Sequence, residues 1–160
     1  MLKRVGANQG KGLDAASMSF YFTVLFAAGA AGKFICGPLG DRFGNVAVIA
    51  MTEVVTAGAL LALLGAPLGW AFACLIPLGF VLNGTSSVLY AAVAGLVHAG
   101  KRARGYGLYY TATQLASAAA PVLYGLLADR AGLAPTFVAM AAVTALIVPL
   151  TLGAARALRS

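Results

Sequence analysis

Lys33 and Glu53 stand alone inside long apolar runs, and a charge at membrane depth is costly enough to mark a functional candidate. At about 1.5 Å per helical residue, each lies roughly 12–14 Å from the charged phrase Asp41-Arg42-Phe43-Gly44 that separates the two runs. Similar depth on two antiparallel helices leaves an ion pair between them geometrically open. Lys33 can also act as a cation that holds a solute, or its long stem can snorkel to the interface. Glu53 reads as a carboxylate that carries a coupling proton, as the partner of Lys33, or as a helix-packing contact.

A second set of candidates is polar without charge. Tyr110, Gln114 and Ser117 recur at three- to four-residue intervals, so they share one face of a helix. Pro121 follows on that face and is a device for bending it. Asn83 follows Pro77 near the middle of another apolar run. These side chains can hold a solute by hydrogen bonds; the alternative is that they bond helix to helix in lipid. Cys36 and Cys74 lie in apolar segments and share no ligand spacing with His98, so they read as small packing residues and no metal site is expected. No nucleophile–base pair, phosphate loop or cofactor motif stands in the sequence, which argues against an enzyme.

The elements that must position these residues are membrane helices. Hydrophobic residues make up 61% of the chain and charged residues 9%, whereas soluble domains carry about 25% charged residues. The reading is an all-α integral membrane protein in contact with the lipid bilayer. Five spans follow, at about 15–39, 45–66, 70–97, 105–128 and 133–155, each at or above the ~20 residues that cross a bilayer. Continuous rather than alternating apolar runs exclude a barrel. Residues 1–16 form a polar tail with no apolar signal core, and residues 156–160 form a second tail.

The net charge of +7 does not point to nucleic acid, because the basic residues sit in short loops and tails between the spans. Lys3, Arg4, Lys11 and Arg130 fall on one side of the membrane. Lys33, Arg42, Lys101, Arg102, Arg104, Arg156 and Arg159 fall on the other, which is therefore assigned to the cytoplasm. The amino terminus is then outside and the carboxy terminus inside, in the plasma (inner) membrane. Small residues recur every fourth position in Gly32, Cys36 and Gly40 and in Ala112, Ala116 and Ala120, spacings that let helices approach closely in lipid.

One phrase occurs twice: Gly37-Pro-Leu-Gly-Asp41-Arg42-Phe-Gly44 and Gly125-Leu-Leu-Ala-Asp129-Arg130-Ala-Gly132. With the five spans above, its copies face opposite sides of the membrane. That is an inverted repeat, as secondary transporters have. Pairing the copies aligns spans one and two with spans four and five. The mate of span three belongs just before residue 17, where only the polar tail stands.

This arrangement resembles the major facilitator superfamily (MFS), in the last five of its twelve helices. Gly37-x-Leu39-x-Asp41-Arg42-x-Gly44 is similar to the family's G-x-L-a-D-R-x-G-R-[RK] loop, although Asn45 and Val46 replace the two closing basic residues. The run from Arg104 to Gly132 is similar to the family's tenth-to-eleventh loop, eleventh helix and following turn. The resemblance, over residues 14–155, implies a gating role for the motif Gly37, Asp41, Arg42 and Gly44, resting on the Asp and Arg alone. Physically, a carboxylate at a helix end can lock one access state by bonding backbone N–H groups and pairing with a cation; the plainer alternative is helix termination in headgroup water.

The resemblance also implies that spans one, three and four line a cavity while span two is peripheral. Lys33 then resembles the basic residue of anion-transporting members akin to the monocarboxylate porters. The expected function is secondary-active transport of a small solute, an organic anion or a drug, by alternating access. The chain would act as a fragment of a permease, completed by the missing helices or by another chain. The competing function is a free-standing small membrane protein that serves as an oligomeric scaffold or partner subunit. An in-frame upstream stretch encoding further spans would favour the first; a ribosome-binding site directly before Met1 would favour the second.

Overall fold

Asp14 opens the first helix. Its carboxylate accepts from the Ser17 N–H at 3.1 Å, which satisfies one of the free donors of the first turn. Hydrogen bonding by Ser17, side chain first and backbone second, holds this exposed carboxyl below its usual range. The computed structural model describes residues 14–157, so the tail expected over 1–16 lies outside the described residues up to 13, and 158–160 lie outside at the other end. Residues 15, 16, 156 and 157, expected in the tails, are helical.

Five long helices follow in order: α1 (Ala15–Phe43), α2 (Asn45–Ala62), α3 (Leu68–Leu96), α4 (Arg102–Ala131) and α5 (Leu133–Ala157). A short 3₁₀ turn, Ala99–Lys101, joins α3 to α4. No strand forms among the described residues. The helix ends differ from the expected spans. α1 continues past Leu39 to Phe43, and α4 past Ala128 to Ala131, so Asp41, Arg42, Asp129 and Arg130 are helical rather than in loops. One residue makes each break. Gly44 has φ 89° and Gly132 φ 92°, the only positive-φ residues among those described. Each donates its N–H back to the helix it ends, Gly44 to Gly40 O at 2.9 Å and Gly132 to Ala128 O at 3.0 Å. Conversely, α2 stops at Ala62 rather than 66, because Gly65 and Pro67 end it in a turn.

α3 is the centre of the bundle. It packs most extensively on α1 and next on α2; α5 covers the other side of α2, and α4 touches α5 and, more lightly, α3. The α1–α3 crossing is closed by glycines. A Cβ on Gly32 would collide with the Phe80 carbonyl oxygen, one on Gly79 with that of Leu25, and one on Gly84 with Cys36 Sγ. The Gly32-Cys36-Gly40 spacing is thus a buried seam. The Ala112-Ala116-Ala120 spacing is not: α4 has no buried residue, and Ala112 and Ala116 are exposed. Cys36, Val48, Ile49 and Val88 form one core cluster, and Leu60, Leu78 and Ala141 another.

Most other large apolar side chains point outward, among them Phe34, Trp70 and Leu150. Such a surface suits lipid and not water. α1, α2, α3 and α5 are long and apolar enough to cross a membrane; α4 is long enough but more polar. Its polar residues include the charged pairs near its two ends, Arg102 with Arg104 and Asp129 with Arg130, and in its middle Tyr109, Tyr110, Thr113, Gln114 and Ser117.

Candidate functional site

Between α3 and α4 lies a cleft of about 830 Å³. α3 contributes its polar face, Asn83, Thr85, Ser86 and Ser87, and beyond it Tyr90; α4 contributes Tyr109, Tyr110, Thr113, Gln114 and Ser117. α1 adds Lys33 and α2 adds Glu53. Every non-motif site residue singled out from the sequence, Lys33, Glu53, Asn83, Tyr110, Gln114 and Ser117, therefore lies on one wall system. Glu53 is the surprise, since the resemblance makes its helix peripheral. Its side chain is 9% exposed, and the cleft is where it opens.

The spacing that left an ion pair open is not used. No salt bridge forms among the described residues, and Lys33 and Glu53 line the cleft unpaired. The reason is packing: α1 packs chiefly on α3 and α2 on α5 and α3, while α1 and α2 touch each other far less.

Three features hold the walls. Thr85 Oγ1 lies 2.7 Å from Thr52 Oγ1, a buried bond between α3 and α2. Thr52 spends its own proton on the carbonyls of Val48 and Ile49, both at 3.0 Å, so Thr85 is the donor between them. Asn83 donates to Gly79 O at 3.3 Å and packs against Gly29, where a Cβ would collide with the amide. Tyr90 is ringed by Tyr106, Tyr109 and Tyr110 at 4.9, 5.4 and 5.3 Å, and the Tyr106 hydroxyl reaches Tyr90 O at 3.4 Å. Tyr90, Tyr106 and Tyr109 did not stand out in the sequence. The signal was present on α4, where positions 106, 109 and 110 share a face; a single tyrosine at 90 carries none.

The motif residues lie apart from the cleft. Asp41 and Arg42 are exposed and form no salt bridge among the described residues, and the Arg42 guanidinium sits over the Phe43 ring, 5.4 Å from its centre. Gly37 is open on its Cβ side, and Gly44 makes the turn. Among the described residues no three His, Cys, Asp or Glu side chains gather in a way that could hold a metal ion.

An apolar-surfaced helical bundle with four helices long and apolar enough to cross a membrane defines a multi-pass membrane protein. The profile of the Major Facilitator Superfamily matches residues 6–158, and the chain belongs to that family of transporters. It is similar to the uncharacterized MFS-type transporter YfnC of Bacillus subtilis (strain 168), with 36% identity over 121 residues, 76% of this chain and 29% of that protein. It is also similar to the uncharacterized MFS-type transporter YhjX of Escherichia coli (strain K12), with 30% identity over 100 residues, 61% of this chain and 25% of that protein. The matched stretches thus cover only 25–29% of these curated relatives. No solved structure matches the chain.

Proposed function

We propose that the chain forms the last five of the twelve helices of a secondary-active permease, and that the cleft is its share of the solute site. The observation that carries this reading is the convergence of Lys33, Glu53, Asn83, Tyr110, Gln114 and Ser117, from four helices, on one cleft. Ionisable and polar groups at membrane depth face such solute paths. The solute is a small organic anion or a drug-like molecule with an anionic group, held by Lys33 and oriented by Asn83 and Gln114. A scaffold would need only apolar packing, so the polar wall favours transport.

In this reading the cleft opens alternately to the two sides of the inner membrane, with the amino terminus outside and the carboxy terminus in the cytoplasm. Asp41 and Arg42 serve the gate. Both are exposed and make no salt bridge among the described residues, which leaves them available to a facing set of helices. α4, with no buried residue, is the helix that such a set would cover.

The test is uptake or resistance profiling in cells that express the chain within its complete reading frame. Lys33→Ala and Gln114→Ala are each expected to reduce transport about tenfold, the equivalent of about 1.4 kcal/mol, at unchanged membrane abundance. Wild-type transport by both variants would overturn the site.

A further inference from the structure

The cleft wall carries two opposite charges that none of the described residues compensates. Lys33 and Glu53 both line it, with no salt bridge between them or to any other described residue. The carboxylate of Glu53 accepts no hydrogen bond from the described residues, yet no fully buried side-chain oxygen or nitrogen among them lacks a partner. Its oxygens therefore reach the cleft and are not sealed in apolar packing.

The neighbouring donors are turned elsewhere. The Thr52 hydroxyl donates to its own helix, Thr85 to Thr52 or Val81 O, and Ser86 to Asn83 O at 2.6 Å. A carboxylate in low-dielectric surroundings with no internal donor takes its counter-charge from whatever occupies the cleft. Lys33 is exposed and lines the same cleft, where an anionic group can meet it.

A purely anionic solute would satisfy Lys33 and leave Glu53 as a like charge beside it; a purely cationic one would do the reverse. Only a molecule with both signs suits both groups. The third wall is aromatic, for Tyr110 is 52% exposed within the group around Tyr90. Phenol faces attract both a flat ring and an ammonium group. The volume of about 830 Å³ falls within the usual range of small-molecule sites.

We infer that the site binds an aromatic zwitterion, with its carboxylate at Lys33, its ammonium at Glu53 and its ring on the tyrosine wall. The inference rests on the transport reading above and narrows its solute class. In it, Glu53 sets specificity by direct contact with the ammonium.

The experiment measures binding to the protein, purified from its complete reading frame, of three probes on one skeleton: phenylalanine, phenylalanine amide and 3-phenylpropionate. Phenylalanine is expected to bind at least about tenfold more tightly than either single-charge probe, a difference of about 1.4 kcal/mol. Glu53→Gln should erase its advantage over phenylpropionate, and Lys33→Gln its advantage over the amide. Glu53→Asp, which keeps the charge, should retain the preference and guards against a variant that merely misfolds. Equal or tighter binding of phenylpropionate, with Glu53→Gln having no effect, overturns this inference and leaves anion transport standing. Failure of all three probes to bind the folded protein also overturns it, and the uptake test then decides the transport reading by itself.

Discussion

Gly44 and Gly132 each reverse the chain with a single residue, and their conformations explain why glycine stands there. Their φ,ψ values of 89°,136° and 92°,175° lie at or near a region that side chains with a Cβ rarely enter. A Cβ at either position would touch nothing within 4 Å, so the penalty of adding one is conformational and not steric. Gly44→Ala and Gly132→Ala are each expected to destabilise the protein by about 1–3 kcal/mol, read as a lower unfolding midpoint in detergent. Gly37→Ala is the control: it is equally uncrowded but helical, and should be neutral or stabilising by up to about 1 kcal/mol. At this scale much of the site could be read from the sequence. The depth of Lys33 and Glu53 follows from their distance to Gly44, and the shared face of Tyr110, Gln114 and Ser117 from helical period. The direction of a hydroxyl proton is different in kind. That Thr85 bonds Thr52, and that Ser86 turns to Asn83 O, depends on which helices touch, and a hydroxyl bonds whichever acceptor packing supplies.

The two small-residue spacings show why a pattern on one helix does not identify its interface. Gly32-Cys36-Gly40 and Ala112-Ala116-Ala120 have the same period, yet only the first is buried. The difference lies in the partner: α3 offers Gly79 and Gly84 to α1, so backbone meets backbone at the crossing. Because a carbonyl cannot move aside as a side-chain tip can, Gly32→Ala and Gly79→Ala are expected to destabilise by about 1–3 kcal/mol each through overpacking. Ala112→Leu, on the exposed face of α4, should leave the unfolding midpoint of this bundle unchanged. A neutral Gly32→Ala would show that α1 and α3 sit farther apart than described. Helix ends were harder to read than helices. The phrases from Gly37 and Gly125 look like turns by composition, but α1 runs through Pro38 although that residue gives up one N–H of the helical ladder, and the charged residues continue the helix. Only the last glycine of each phrase ends it.

For the whole molecule, the repeat has a geometric consequence that a labelling experiment can reach. Three helices, α2, α3 and α4, separate the turn at Gly44 from the turn at Gly132. If each crosses the bilayer, an odd number of crossings puts the turns on opposite sides, and in the orientation proposed from the excess of Lys and Arg the Gly44 side faces the cytoplasm. The step that needs testing is α4, since it is long but less apolar than the other four helices. Were α4 to lie along the surface, the crossings would be even and both turns would face one side. Phe43 and Leu133 adjoin the two glycines and are 61% and 47% exposed, so a cysteine at either would be accessible to a reagent. In a background with Cys36 and Cys74 replaced by alanine, Leu133→Cys should react with a membrane-impermeant maleimide in intact cells. Phe43→Cys should react only after permeabilisation. Reaction of both under the same condition would place the turns together and remove the inverted repeat. The polarity of α4 would then belong to an interface and not to a solute path, and the cleft would lose its membrane-spanning wall.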